Sequence, residues 1–533
     1  MVLPPLSALA LPGLTLLDIG VCCTTLIVAV TLYTRRQQFK QLNLPYPPGP
    51  KGLPIIGNVF DNPEKQPWVT YRDWSRQMGS PIIRLDMMGR KIVVINEFQA
   101  AVDLFEKRGS MHLNRPRFPM MNEACGGKWL FVLTDELDHW ELCRHTFDSY
   151  FRKAEMTRWR AHQLSTAHAL LTRLLESPER FEGHIHHITA AMFVDIAYGI
   201  EAKQEDDEFI DVSERALRGL ENCNNTGIID IFPWLQHIPS WIPGMRWKQS
   251  IDVLKTYVLQ MVDAPYERVK EGLNEGLAKP CVTTDLMARF EDEITDNFRR
   301  EYAIKSIAGT VYVAGYDTTA SVLNTFCLVM TLFPDVQRRA QAEIDRVVGP
   351  SSDRLPEFSD QESLPYITAI VKEILRWAPP LPLGLPHRTS TADTYNGYYI
   401  PKDCMVLGNS WAILRDPEAY PDPDTFNPSR FLTHDGTKID PTVRDPEVTF
   451  GYGRRIWPGR FVAHESLWIT FAYILATFEI ERKVGDDGKL VPMPEEMFVM
   501  GLVSHPTKFS CSITPRSEAS VRLVRAVGVD RAE

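Results

Sequence analysis

The stretch F-G-Y-G-R-R-I-W-P-G-R, Phe450 to Arg460, decides how the rest of the chain is read. In eleven residues it combines glycines at 451, 453 and 459 with three arginines and a Pro-Gly pair. Glycine lets a backbone turn tightly and approach a ligand closely. Pro458 and Gly459 open a new helix, because proline suits the first helical position and the run that follows to 477 is predominantly apolar. Position 457 therefore stands at a helix N-terminus, where unpaired amides and the helix dipole favour a negative charge such as a thiolate. The residue there is Trp457, which carries no charge.

Working outward, four patterns accompany this loop. Upstream, E-I-L-R places Glu373 and Arg376 at i, i+3 on a helix that ends at Pro379-Pro380, and F-N-P-S-R-F supplies Arg430. W-E-L-C-R puts Trp140 and Arg144 at i, i+4, with their polar tips on one helix face. The run 299–333 is apolar nearly all round, which predicts a buried central helix. Its middle, A-G-Y-D-T-T from Ala314 to Thr319, inserts glycine, a carboxylate and two hydroxyls. Glycine in a helix interior costs about 1 kcal/mol relative to alanine, and Thr hydroxyls divert backbone bonds. Such a breach of local rules reads as a functional site on a helix.

Apolar periodicity predicts further helices at 97–107, 135–150, 154–176, 186–200, 251–272, 335–348, 363–377 and 459–477. Two strands are predicted around Gly89 within 82–95, and a strand pair near 394–406. There is no internal repeat or second linker, so one large, mainly α domain with a small β-rich part is expected over 59–533. Ahead of it, five prolines and three glycines in Pro45–Asn58 predict a stiff, extended hinge. From Leu14 to Tyr33 the chain is apolar with a single charge, Asp18, and Arg35, Arg36 and Lys40 follow at once. That length and flanking charge predict a single-pass signal-anchor with the body facing the cytosol. Asn224-Asn225-Thr226 is a formal glycosylation sequon that should then stay bare.

Composition sets the outer bounds. With 58 basic against 68 acidic residues the net charge is −10, which argues against a nucleic-acid binder. Nine cysteines without C-x-x-C or finger spacing suggest neither a disulfide framework nor a zinc module. The cluster His184, His186 and His187 is read as a solvated helix start rather than a metal site, since no carboxylate completes a set.

Together, in this order and spacing, the motifs resemble the cytochrome P450 family from the proline-rich hinge to the C-terminus. The apolar N-terminus resembles the microsomal type, which implies the endoplasmic reticulum membrane. The resemblance implies a P450 fold and a haem. It assigns Asp317 and Thr318 to proton delivery, and Trp140, Arg144, His387 and Arg455 to the haem propionates. Glu373, Arg376 and Arg430 would lock the fold. It also implies an NADPH-cytochrome reductase as partner and a lipophilic small molecule as substrate, gated by 115–129, 381–386 and 500–505.

The departure is at the iron. The family's loop reads F-G-x-G-x-R-x-C-x-G, and Phe450, Gly451, Gly453, Arg455 and Gly459 match while Trp457 stands at the cysteine. An indole nitrogen is a donor only, and a thiolate is what pushes electron density onto iron to favour O–O cleavage. No metal ligand is assigned as encoded. Three accounts stay open: a member that has lost monooxygenase activity, a cysteine codon misread by one base in an active monooxygenase, or a haem protein with another axial ligand. A membrane-tethered protein that binds an apolar ligand without chemistry is the reading from a different class.

Overall fold

The computed structural model describes residues 44–529 apart from 64, 204–206, 225–227, 243–246, 350–353, 500 and 502. The expected anchor at 14–33 and the second and third residues of the sequon lie outside the described residues. Among the described residues no single helix is long and apolar enough to cross a membrane.

The body is mainly helical, and one helix organises it. We number the helices that position the site: α1 (Leu137–Phe151), α2 (Arg160–Glu176), α3 (Phe181–Tyr198), α4 (Trp247–Glu275), α5 (Val282–Glu293), α6 (Asn297–Leu332), α7 (Pro334–Val348), α8 (Pro365–Trp377) and α9 (Arg460–Thr477). Helix α6 starts where the Asp296 carboxylate accepts from the amides of Phe298 and Arg299, at 2.9 and 3.2 Å. It stops at Phe333, because Pro334 cannot continue it and instead begins α7 after a 104° bend.

Two apolar cores meet on α6. Its N-terminal half packs Ile304, Ile307 and Val311 with Phe147 of α1, Val262 of α4 and Phe290 of α5. Its C-terminal half packs Leu323 and Phe326 with Leu170 of α2, Ile374 of α8 and Phe471 of α9. The Phe326 and Phe471 rings stack with centroids 4.1 Å apart. Burying a helix on all sides is what its nearly continuous apolar sequence requires.

The β-rich part is small. Strands β1 (Ile82–Met87), β2 (Arg90–Ile95), β3 (His387–Arg388) and the later β6 (Met405–Gly408) form one sheet in the order β1-β2-β6-β3. The predicted hairpin around Gly89 is the β1–β2 pair, in register from Ile82 opposite Ile95 to Met87 opposite Arg90. The region expected near 394–406 divides: β4 (Asp393–Tyr395) pairs with β5 (Tyr398–Ile400), whereas β6 runs parallel to β2. The proline-rich stretch is irregular up to Gly52 and tied to both hairpins, its Pro48 carbonyl accepting from Arg84 N at 2.8 Å and its Pro45 carbonyl from Tyr399 N at 2.7 Å, whereas Leu53–Gly57 folds into a tight turn rather than the expected extended hinge.

Several local expectations need correction. The helix expected at 97–107 is four residues of α-helix, Phe98–Ala101, followed by a wider π turn over Val102–Lys107. Helix α3 begins five residues before the expected 186, so His184 lies inside it, buried and hydrogen-bonded to the Ser177 hydroxyl at 2.8 Å. The three-histidine cluster is thus a packed turn rather than a solvated start. Helices Pro67–Met78, Glu208–Asn224, Val282–Glu293 and Glu518–Val529 were not among those predicted. The first opens on Pro67 and closes on Gly79, a start and stop the sequence displays.

Candidate functional site

Between the middle of α6 and the loop 450–459 lies a cavity with about 1300 Å³ of empty space, its mouth included. Its walls are apolar, with Phe147, Phe151, Phe193, Val311 and Val462 among them. Its polar lining is basic: Arg115, Arg144, His387 and Arg455 reach it, and no lining residue is Asp or Glu.

The basic rim is over-supplied with charge. Arg455 is 7 % exposed, and it donates from Nε to the Leu113 carbonyl at 3.1 Å and from Nη2 to the Thr134 carbonyl at 3.4 Å. Its Nη1 has no partner. Its guanidinium lies 4.1 Å from the centre of the Trp140 ring, a cation–π contact. Arg115 is equally buried and bonds only to the carbonyls of Val132, Leu385 and Pro386, at 2.8–2.9 Å. Arg144 donates to the Ile456 carbonyl. Burial pushes Arg115 down to about 9, and burial with repulsion from Arg115 and Arg144 pushes Arg455 down to about 8. Guanidinium groups nonetheless stay protonated at neutral pH, so three cations crowd one rim. His387 is held far below the usual histidine range by burial and by Arg115, and its Nδ1 donates to the His112 carbonyl at 2.8 Å.

Trp457 forms part of the floor of the cavity. The loop is closed by Trp457 N donating to the Phe450 carbonyl at 2.8 Å, and Arg460 returns to the Trp457 carbonyl at 3.2 Å. The half-buried indole packs against Phe147, ring centroids 4.8 Å apart, and folds over Gly459. A Cβ at 459 would lie 2.6 Å from the indole nitrogen, so this conformation needs glycine there.

On the α6 side the structure separates the two residues expected to act together. Thr318 lines the cavity, with its hydroxyl returned to the Ala314 carbonyl at 2.7 Å. Asp317 does not line it and pairs with His505 Nε2 at 3.1 Å. His505 stacks on His186, ring centroids 5.8 Å apart, and His186 Nδ1 meets the Tyr316 hydroxyl at 3.3 Å. Although its burial opposes the charge, the Asp317 carboxylate raises His505 above the ordinary histidine value; burial and His505 push His186 down to about 4. The glycine of this segment has a packing reason: a Cβ on Gly315 would meet the Phe193 ring at 2.3 Å.

Glu373, Arg376 and Arg430 come together behind the cavity. The Glu373 carboxylate accepts from Arg376 Nε and Nη2 at 2.6 and 2.8 Å, from Arg430 Nε at 3.2 Å and from the Asn427 amide at 2.7 Å. Glu373 and Arg376 are fully buried, and the remaining Arg376 donors go to the carbonyls of Leu414, Pro423 and Thr425. The sequence reading gave Arg115 and His505 only as ends of gating segments and His186 only as one of a histidine cluster; it missed Arg115 as part of the basic rim, because it looks like a loop charge in N-R-P-R-F, and the contacts of His505 and His186 with α6, which are made far along the chain.

Residues 47–512 match the sequence profile of the family described as Cytochrome P450. The chain belongs to the cytochrome P450 family. This P450 is 40% identical to the tryptamine 4-monooxygenase of Psilocybe cyanescens, over 90% of its own length and 94% of the relative's. It is 36% identical to a cytochrome P450 monooxygenase of Armillaria gallica, covering 93% and 97% of the two chains. It is 38% identical to a third P450 monooxygenase, from Hericium erinaceus, over 90% of each. P450 monooxygenases bind haem and work with a redox partner on lipophilic substrates. Among the described residues there is no cluster of three or more His, Cys, Asp or Glu side chains that could hold a metal ion.

Proposed function

We propose that this chain is a membrane-anchored P450 whose iron ligand has been replaced by Trp457, so that as encoded it does not carry out monooxygenation. The observation that carries the reading is the indole at 457, folded over Gly459 and against Phe147 in a loop that otherwise keeps the family's fixed residues. When bound in a P450, haem with its thiolate supplies the oxygen-activating chemistry. Here the residues fit one end of that group and not its centre. Arg115, Arg144 and Arg455, with an orphaned N–H on Arg455, suit the two carboxylates. Trp457 has no lone pair to give the iron.

In this reading Trp140, Arg144, His387 and Arg455 hold the carboxylate edge. Glu373, Arg376 and Arg430 brace the fold beneath it, while Thr318 lines the cavity and Asp317, turned to His505, stands outside it, the two residues of a proton path that has nothing to serve. The chain divides into an anchor at 14–33, a hinge at 45–58 and a body at 59–533, tethered to the endoplasmic reticulum membrane with the body in the cytosol. The relative named for tryptamine invites an aromatic amine as ligand. No carboxylate lines this cavity to pair with an ammonium, so a neutral or acidic lipophile fits it better. An NADPH-cytochrome reductase would be the partner of a form with cysteine at 457. The retention of both Asp317 and Thr318 in the sequence favours that second reading, in which the codon for 457 is misread.

The test is spectroscopic. After the codon for 457 is verified, the purified protein is given haem, reduced and exposed to carbon monoxide. The parent is expected to lack the red-shifted Soret band of a thiolate-bound iron, and Trp457→Cys to acquire it. A parent with verified tryptophan that shows the band would sink the proposal.

A further inference from the structure

We infer that the cavity is a metal-blind site for a flat lipophilic diacid of the porphyrin type, which binds metal-free protoporphyrin as tightly as the iron complex. This rests on the reading that Trp457 removes the iron's ligand, and it goes beyond that reading by naming what the site still selects.

The basic rim gives the first half of the argument. Every hydrogen bond found for Arg115, Arg144 and Arg455 goes to a neutral backbone carbonyl, which orients a guanidinium without neutralising it. No carboxylate lines the cavity, and Arg455 Nη1, on a side chain more than nine-tenths buried, has no partner at all. Asp135 attracts Arg455 and Asp148 attracts Arg144, but neither carboxylate lines the cavity, and buried like charges compensated only in part are costly. A ligand with two carboxylates close together on one edge would pair with them through charge-assisted, bidentate bonds.

The walls give the second half. Beyond the rim the surface is apolar and aromatic, with Phe147, Phe193 and Trp457 offering ring faces and Val311 and Val462 filling between them. Such a surface suits a broad, flat, apolar body. What the floor lacks at 457 is a donor of electron pairs. The terms that remain, ring burial and carboxylate pairing, are the same for the free base and for its metal complexes, so the metal adds nothing to affinity.

The experiment uses the purified full-length chain in detergent and titrates it with free-base protoporphyrin IX, its iron(III) complex, and the free-base dimethyl ester. Binding is read by absorbance and by quenching of tryptophan fluorescence. The free base and the iron complex are expected to bind within about threefold of each other, and the ester about tenfold or more weaker, as loss of charge-assisted bonds implies. Arg455→Gln is expected to weaken both diacids alike, with an unchanged circular dichroism spectrum showing that the fold survives. Trp457→Cys removes one ring of the wall for both ligands but adds a thiolate for the iron, so it is expected to favour the iron complex over the free base by about tenfold or more.

An iron complex that binds the parent more than tenfold tighter than the free base would overturn metal-blindness, and with it the reading that the ligand is lost. Failure of both diacids to bind a cooperatively melting parent would overturn the inference alone, leaving the loss of ligand standing. An ester that binds as well as the diacid would likewise remove the rim from the argument.

Discussion

At the level of single residues, Trp457 and Gly459 define each other. A glycine after a ligand position is usually read as making room for a cofactor; here the room is taken by the indole itself, which sits where a Cβ at 459 would stand 2.6 Å from its nitrogen. Gly459→Ala is therefore expected to destabilise the parent by about 1–3 kcal/mol, the usual range for forcing an extra methyl into a packed site. In a Trp457→Cys background the same substitution should be nearly free, because the clashing partner is gone. A double-mutant cycle by urea denaturation measures the difference, and additive effects would mean that the indole does not lie over Gly459. Gly315 carries the same lesson: its place in A-G-Y-D-T-T looked like a local cost accepted for function, and Phe193 of α3 is what excludes a side chain there.

At the level of elements, the bond between α8 and the P-S-R-F turn is one carboxylate shared by two guanidiniums. Glu373 accepts four hydrogen bonds, and no other carboxylate is bonded to Arg376 or Arg430. Glu373→Ala leaves buried positive charge uncompensated, and a loss of about 3–5 kcal/mol in unfolding free energy is expected. A variant that unfolds at the same urea concentration as the parent would show that the network carries no stability. Pairs such as Glu373 and Arg376 were legible because they repeat at helical spacing on one element, as were Trp140 and Arg144. The Asp317–His505 pair was not, since the two residues belong to a helix and to the short strand His505–Pro506, which only the folded chain brings together. Helix positions followed from apolar period where one face is buried. They failed at Val102–Lys107, where the ladder widens into a π turn that hydrophobic spacing does not distinguish from α-helix.

For the molecule as a whole, histidine burial sets the response to acid. His112, His139, His184, His186, His187, His387 and His464 are all held below the ordinary histidine value, burial being the largest cause in each case. Three of them, His186, His187 and His464, lie at about 4. In the unfolded chain each titrates near 6.5, so between roughly pH 6.5 and pH 4 the unfolded state binds more protons than the native one. Stability is then fully present above pH 6.5 and is lost as pH falls toward the native values. His505 runs the other way: Asp317 raises it, so its contribution is present below 6.5 and fades as pH rises through its native value. Seven depressed groups outweigh one raised group. The urea midpoint is therefore expected to fall steeply from pH 7 to pH 5 with an unchanged slope, and each half-buried histidine near 4 to account for about 1–2 kcal/mol once residual hydration is allowed for. Replacing His505 by Gln should steepen that fall, because the one group that resists acid is removed, whereas replacing His186 by Gln should flatten it. A midpoint that stays level from pH 7 to pH 5 in the parent would mean that these rings are hydrated and protonate in place, which their contacts with Tyr316, Ser177 and the His112 carbonyl argue against.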